Sequence, residues 1–126
     1  MAGVAMPENE GMRDGRMQPL LRSSADGYGR WMIIVAGTLT VDPSRRDAYL
    51  SSCIEVVKQA RETPGCLDFS VTADLVAADR VHVYERWETV QAVEDFRGEG
   101  QNGAETEAII SASVWQYEIA NAQKLT

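Results

Sequence analysis

Residues 31–65 read WMIIVAGTLTVDPSRRDAYLSSCIEVVKQARETPG, and their patterning decides the fold. Trp31 to Val41 is rich in Ile, Val and Thr, whose side chains suit a pleated strand. Its first half is apolar on both faces, which marks a buried strand. Asp42-Pro43 then supplies an N-cap and a proline at the first helical position, where a missing N–H costs nothing. Ser44 to Thr63 follows as an amphipathic helix. Its apolar stripe is Tyr49, Leu50, Cys53, Ile54, Val56, Val57 and Ala60, while Arg45, Arg46, Glu55, Lys58, Arg61 and Glu62 face water. Pro64-Gly65 ends it, because proline cannot continue a helix and glycine permits the turn.

Downstream, Cys66 to Val76 reads as a second strand, with Leu67, Phe69, Val71 and Ala73 on one face. Ala77-Ala78-Asp79 connects it by a short hairpin to a third, Arg80 to Glu88. Thr89 caps a second helix, Val90 to Arg97, which buries Ala92, Val93 and Phe96. Gly98, Gly100, Asn102 and Gly103 interrupt the pattern, and a short helix from Ala104 to Ser111 buries Ile109 and Ile110. The last strand is Ser113 to Ala122. The order β-α-β-β-α-β predicts an α+β, ferredoxin-like domain: a four-stranded antiparallel sheet with helices on one face. On the third strand Val81, Val83 and Trp87 alternate with His82, Tyr84 and Arg86; on the last, Val114 and Ala120 alternate with Trp115, Tyr117 and Ile119. Neither strand has a purely polar face, so the side without helices is expected to be covered by a second copy, sheet against sheet.

Upstream, the first 30 residues differ in kind. They hold 5 of the 10 glycines and 2 of the 4 prolines, with no helical or strand period. Such a segment buries too little apolar surface to offset its ordering entropy, so residues 1–30 are expected to form a flexible extension of the domain at 31–126. Its four arginines balance its four acidic residues, so the whole net charge of -7 belongs to residues 31–126. That charge argues against binding nucleic acid or an anionic membrane, since either encounter begins with repulsion. The longest apolar run, Met32 to Ala36, is far short of the roughly 18 residues a membrane span needs. Met1 to Leu20 has no apolar stretch of the secretory kind, and the expected compartment is the cytoplasm. Cys53 and Cys66 are too few for a disulfide scaffold and too far apart for a zinc knuckle; they read as small core residues, with a single Cys53–Cys66 disulfide as the alternative that geometry decides.

Three runs carry a resemblance. Glu62-Thr63-Pro64-Gly65-Cys66-Leu67-Asp68-Phe69 is followed by Val83-Tyr84-Glu85-Arg86-Trp87-Glu88 and then Gln91-Ala92-Val93. Over roughly residues 32–122 this pattern resembles the antibiotic-biosynthesis monooxygenase family. The resemblance implies a dimeric α/β barrel of two ferredoxin-like subunits. It also implies a cofactor-free monooxygenase acting with O₂ on an aromatic, quinol-like or polyketide-like small molecule, although haem-degrading enzymes and isomerases share the family. The sequence departs from the family in two places. Phe96 stands where many members carry a second-helix histidine, and Met32 to Val41 lacks the first-strand asparagine of the haem-degrading relatives. A non-catalytic, dimeric small-molecule-binding module is therefore the alternative.

Oxygenation without a cofactor needs an apolar pocket with aromatic walls, a partner for the substrate anion, and exclusion of water. The resemblance puts Trp87 at the family's pocket tryptophan, with core packing as its other reading. Arg86 is a candidate to stabilise an anionic substrate by a charge-assisted hydrogen bond, or to pair with Glu85 or Glu88 of the neighbouring strand or subunit. Glu85 is expected to pair across the interface. Histidine is the side chain whose type changes charge nearest neutral pH, so His82, the only one, is the candidate base, or else a half-exposed strand residue. One histidine with no nearby carboxylate or cysteine cluster is too little for a metal site. Phe69, Phe96 and Trp115 are candidates to line a cavity between sheet and helices. Tyr84 and Tyr117 offer hydroxyls to a phenolate or to the dimer interface. The Gly98–Gly103 loop is a candidate lid.

Overall fold

A computed structural model describes residues 32–98 and 106–126. The expected extension at residues 1–30, and the lid beyond Gly98 with Asn102, lie outside the described residues. Strand β1 (Met32–Val41) leads through a 3-10 turn (Pro43–Arg45) into helices α1 (Arg46–Ser52) and α2 (Ile54–Arg61). Strands β2 (Cys66–Ala73) and β3 (Arg80–Trp87) follow, then helix α3 (Val90–Gly98), a 3-10 turn (Thr106–Ala108) and strand β4 (Ile109–Ile119). The sheet order is β2-β3-β1-β4, with every adjacent pair antiparallel. This is the ferredoxin-like α+β fold expected from the element order.

Local chemistry sets the boundaries. Asp42 caps the entry turn by accepting from the Ser44 N–H at 2.9 Å. Thr89 Oγ1 accepts from the Ala92 N–H at 3.0 Å and starts α3. Gly65 takes φ 89° between α2 and β2, where its bare α-carbon leaves room for Ala92 of α3. Its carbonyl accepts from Glu88 N–H at 2.8 Å, tying that turn to the end of β3.

Three segments depart from the expectations. The Ser44–Thr63 helix is two helices joined at Cys53. There the Ser52 hydroxyl donates to the Tyr49 carbonyl at 2.6 Å, a back-bond that distorts the turn. Within the described part of the expected Ala104–Ser111 helix there is a 3-10 turn (Thr106–Ala108), and Ile109 and Ile110 open β4, leaving Ile110 exposed. Leu67 leaves the Phe69 face because the register shifts between Cys66 and Asp68, and it is exposed.

The core lies between sheet and helices in two connected patches. One gathers Ile33, Val35, Ala60, Phe69, Trp87, Val93 and Phe96; the other gathers Leu39, Val41, Tyr49, Cys53, Val81 and Ala108. Both cysteines are free thiols, Cys53 buried and Cys66 half-buried. Burial pushes the Cys53 thiol and the Tyr49 phenol above their ordinary ranges, since neither anion is tolerated there.

Candidate active site

Strand parity divides the candidate residues between the two sides of the sheet. On β3 the odd positions Val81, Val83, Glu85 and Trp87 face the helices, and the even positions His82, Tyr84 and Arg86 face away. Pairing extends the assignment: Val35 stands between Glu85 and Gln116, while Ile34 stands between Arg86 and Tyr117. Of the eight candidates, the helix side therefore holds Trp87, Phe69 and Phe96. The open side holds His82, Tyr84, Arg86, Trp115 and Tyr117.

On the helix side the three aromatic rings pack together. Trp87 and Phe96 centroids are 5.3 Å apart, Phe69 and Phe96 5.6 Å, and Phe69 and Trp87 6.4 Å, the last two edge to face. Against them lies Glu85, the one charged residue among the buried described residues. Its Oε1 accepts from the indole Nε1 of Trp87 at 3.0 Å. The Arg97 Nη2 donates to both carboxylate oxygens, at 2.9 and 3.0 Å. Burying a carboxylate is costly, and the indole and guanidinium donors offset the lost water. Glu85 thus pairs within its own chain, contrary to the expectation of a partner across the interface. The Arg97 side chain is 45% exposed, so it links the buried carboxylate to the rim of the domain.

On the open side, Ala36 separates Tyr84 of β3 from Trp115 of β4, leaving a shallow saddle between two large rings. Trp115 is 64% exposed and Tyr117 also exposed. Trp115 thus lies away from the sheet–helix cavity that the sequence suggested for it. Arg86 makes no ion pair with Glu85, which points to the other face, and its buried Nε has no hydrogen-bond partner among the described residues.

His82 has a carboxylate neighbour after all. Its Nε2 lies 2.6 Å from Asp74 Oδ1, just beyond the end of β2. Asp74 Oδ2 also accepts from the Ala77 and Val76 N–H groups, at 2.7 and 3.0 Å. These bonds, the Ala77 amide first and His82 next, hold the Asp74 carboxyl well below the usual carboxylate range. The pair shapes a hairpin. Among the described residues no three His, Cys, Asp or Glu side chains gather as metal ligands, and no helix is long and apolar enough to cross a membrane.

Sequence reasoning passed over Glu85 as a site residue and Arg97 altogether. The signal was the parity of β3: a Glu flanked by inward-facing Val83 and Trp87 must point inward too, and then requires a cation from the helix above.

The profile of the antibiotic biosynthesis monooxygenase family matches residues 32–104. Among solved structures, a candidate antibiotic biosynthesis monooxygenase from Nitrosomonas europaea superposes with a TM-score of 0.65 at 12% identity, covering 75% of this chain and 95% of that one. One from Caulobacter crescentus gives 0.64 at 17% identity, covering 73% and 92%. One from Deinococcus radiodurans gives 0.61 at 20% identity, covering 75% and 98%. None of the curated proteins compared matches this chain. At these identities the solved structures speak to the fold, while the profile spans more than half of the sequence: the chain belongs to the antibiotic biosynthesis monooxygenase family.

Proposed function

We propose that this protein is a cofactor-independent monooxygenase that oxidises an aromatic, quinol-like or polyketide-like small molecule with O₂. The observation that carries the reading is the buried Glu85 held by Trp87 and Arg97 beside an aromatic wall, in a chain of this family. Such a substrate must lose a proton before it can reduce O₂, so the site has to favour its anion and keep water out. Phe69, Trp87 and Phe96 supply apolar walls. Arg97, anchored by Glu85 and reaching the rim, is the cation that stabilises the substrate anion. For an anthrone-like substrate, the methylene loses two C–H bonds and becomes a carbonyl. One oxygen atom of O₂ enters the ketone and the other leaves as water.

The same reading includes a homodimer through the open sheet face. It is supported by the exposed Trp115 and Tyr117 and by the unpartnered Arg86 Nε. Arg86, His82, Tyr84 and Tyr117 then serve the contact between sheets. A neutral phenol is the form expected to enter, since the net charge of -7 repels anions.

One observation favours the alternative of a binding module without turnover: where the resemblance leads one to expect a second-helix histidine, this chain has the apolar Phe96, buried against Trp87. O₂ consumption over a panel of quinols and anthrones separates the two. Turnover above autoxidation that falls in Trp87→Phe supports the monooxygenase. Stabilisation by aromatic ligands without oxygen uptake supports the binding module.

A further inference from the structure

A hollow of about 320 Å³ opens at the outer edge of the sheet, between helices α1 and α2 and strand β2, and its lining includes neither Trp87 nor Glu85. Its apolar wall is Leu50, Ile54, Val57 and Val71, with the neutral thiol of Cys53 behind them. Lys58 and Arg61, one turn apart on α2, provide its cations, and β2 at Ser70 and Thr72, whose side chains share the open face with Tyr84 and His82, forms its outer rim. Among the described residues no carboxylate lines it, in a chain with 19 acidic residues.

The two cations are available in different degrees. Arg61 Nε donates to the Phe69 carbonyl at 2.9 Å, which fixes the guanidinium beside β2. Its Nη nitrogens have no hydrogen bond among the described residues. Lys58 touches Glu55 at 3.4 Å, but both side chains are largely exposed, so that pair is weak and readily exchanged. An oriented guanidinium fork matches a carboxylate better than a point charge does, and the apolar wall has no use for a second charge. The volume lies at the small end of ligand pockets.

We propose that this hollow binds a small monocarboxylate with an apolar body, its carboxylate on Arg61 and Lys58 and its body against Leu50, Ile54, Val57 and Val71. The proposal does not rest on oxygenase activity at the helix-side centre, none of whose residues Glu85, Trp87, Phe96 and Arg97 lines the hollow.

Calorimetric titration of the full chain with octanoate tests it, with octanol and acetate as probes that each lack half of the match. Octanoate is expected to bind saturably at one site per chain, and the other two at least about tenfold more weakly, the difference of roughly one charge-assisted hydrogen bond. Arg61→Gln is expected to weaken octanoate about tenfold on the same ground. Ile54→Trp, at a half-exposed rim position, fills the hollow and is expected to abolish binding with an unchanged circular dichroism spectrum. Absence of saturable octanoate binding overturns the proposal. Equal affinity in the wild type and in a folded Ile54→Trp variant also overturns it, since the ligand then sits elsewhere.

Discussion

Glu85 and Arg86 are consecutive in the chain, yet the sheet stands between their side chains. Glu85 is buried against the helices with Trp87 and Arg97, whereas Arg86 lies on the open face with a buried, unpartnered Nε. The strand's period of two sends neighbouring charges into different environments. The proposed function rests on the first of these environments and the proposed dimer on the second.

Glu85→Ala leaves the buried indole N–H of Trp87 without an acceptor and Arg97 without its anchor. The expected cost is about 2–3 kcal/mol, below the full penalty of a broken buried pair because Arg97 can turn to water. Glu85→Gln keeps an acceptor for the indole and is expected to cost less. Urea unfolding followed by tryptophan fluorescence gives both values, and equal costs for the two variants contradict the role of Glu85 as the indole's acceptor.

Gly37 pairs with Val114 across β1 and β4, and a Cβ there would stand 2.0 Å from the Ser113 carbonyl oxygen. The obstacle is backbone, so relief requires the strands to part. Gly37→Ala is expected to destabilise by about 3 kcal/mol, the upper part of the overpacking range. Thermal melts check it: an unchanged midpoint shows that the two strands separate without cost.

The folded state holds the Asp74 carboxyl below its ordinary 3.8, so its contribution to stability is fully present above that value. It is lost as the pH falls further, towards the lower folded value. Asp74→Asn is expected to make stability less dependent on pH below about 4 than in the wild type. Chemical unfolding at a series of acidic pH values reads the slope, and identical slopes contradict the assignment.

Trp115→Glu places a charge on the exposed ring of the open face. If two sheets meet there, the substitution is expected to convert a dimer into a monomer while leaving the fold intact. Sedimentation velocity distinguishes the outcomes. A wild type that is monomeric, or a variant that stays dimeric, refutes this interface.

The element order was legible because apolar periodicity and its punctuation agree: Asp42-Pro43, Pro64-Gly65 and Thr89 each act as the sequence suggests. The break at Cys53 was not legible, because the apolar stripe runs through it and the cause is a hydroxyl back-bond from Ser52. The start of β4 was missed because Ile109-Ile110 suits a buried helix as well as a strand. At the candidate site, the alternation along β3 grouped Trp87 with Val81 and Val83, and the same parity held Glu85. Arg97 and Asp74 come into place through packing between elements, which no local pattern displays.

The central claim is that the chain transfers an oxygen atom from O₂ to an aromatic substrate. Mass spectrometry of the product formed from an anthrone under ¹⁸O₂ tests it most directly, with autoxidation subtracted. The account predicts enzyme-dependent product bearing a single ¹⁸O, formed several-fold more slowly by folded Trp87→Phe. Product formation equal to the protein-free control across the quinol and anthrone panel contradicts it.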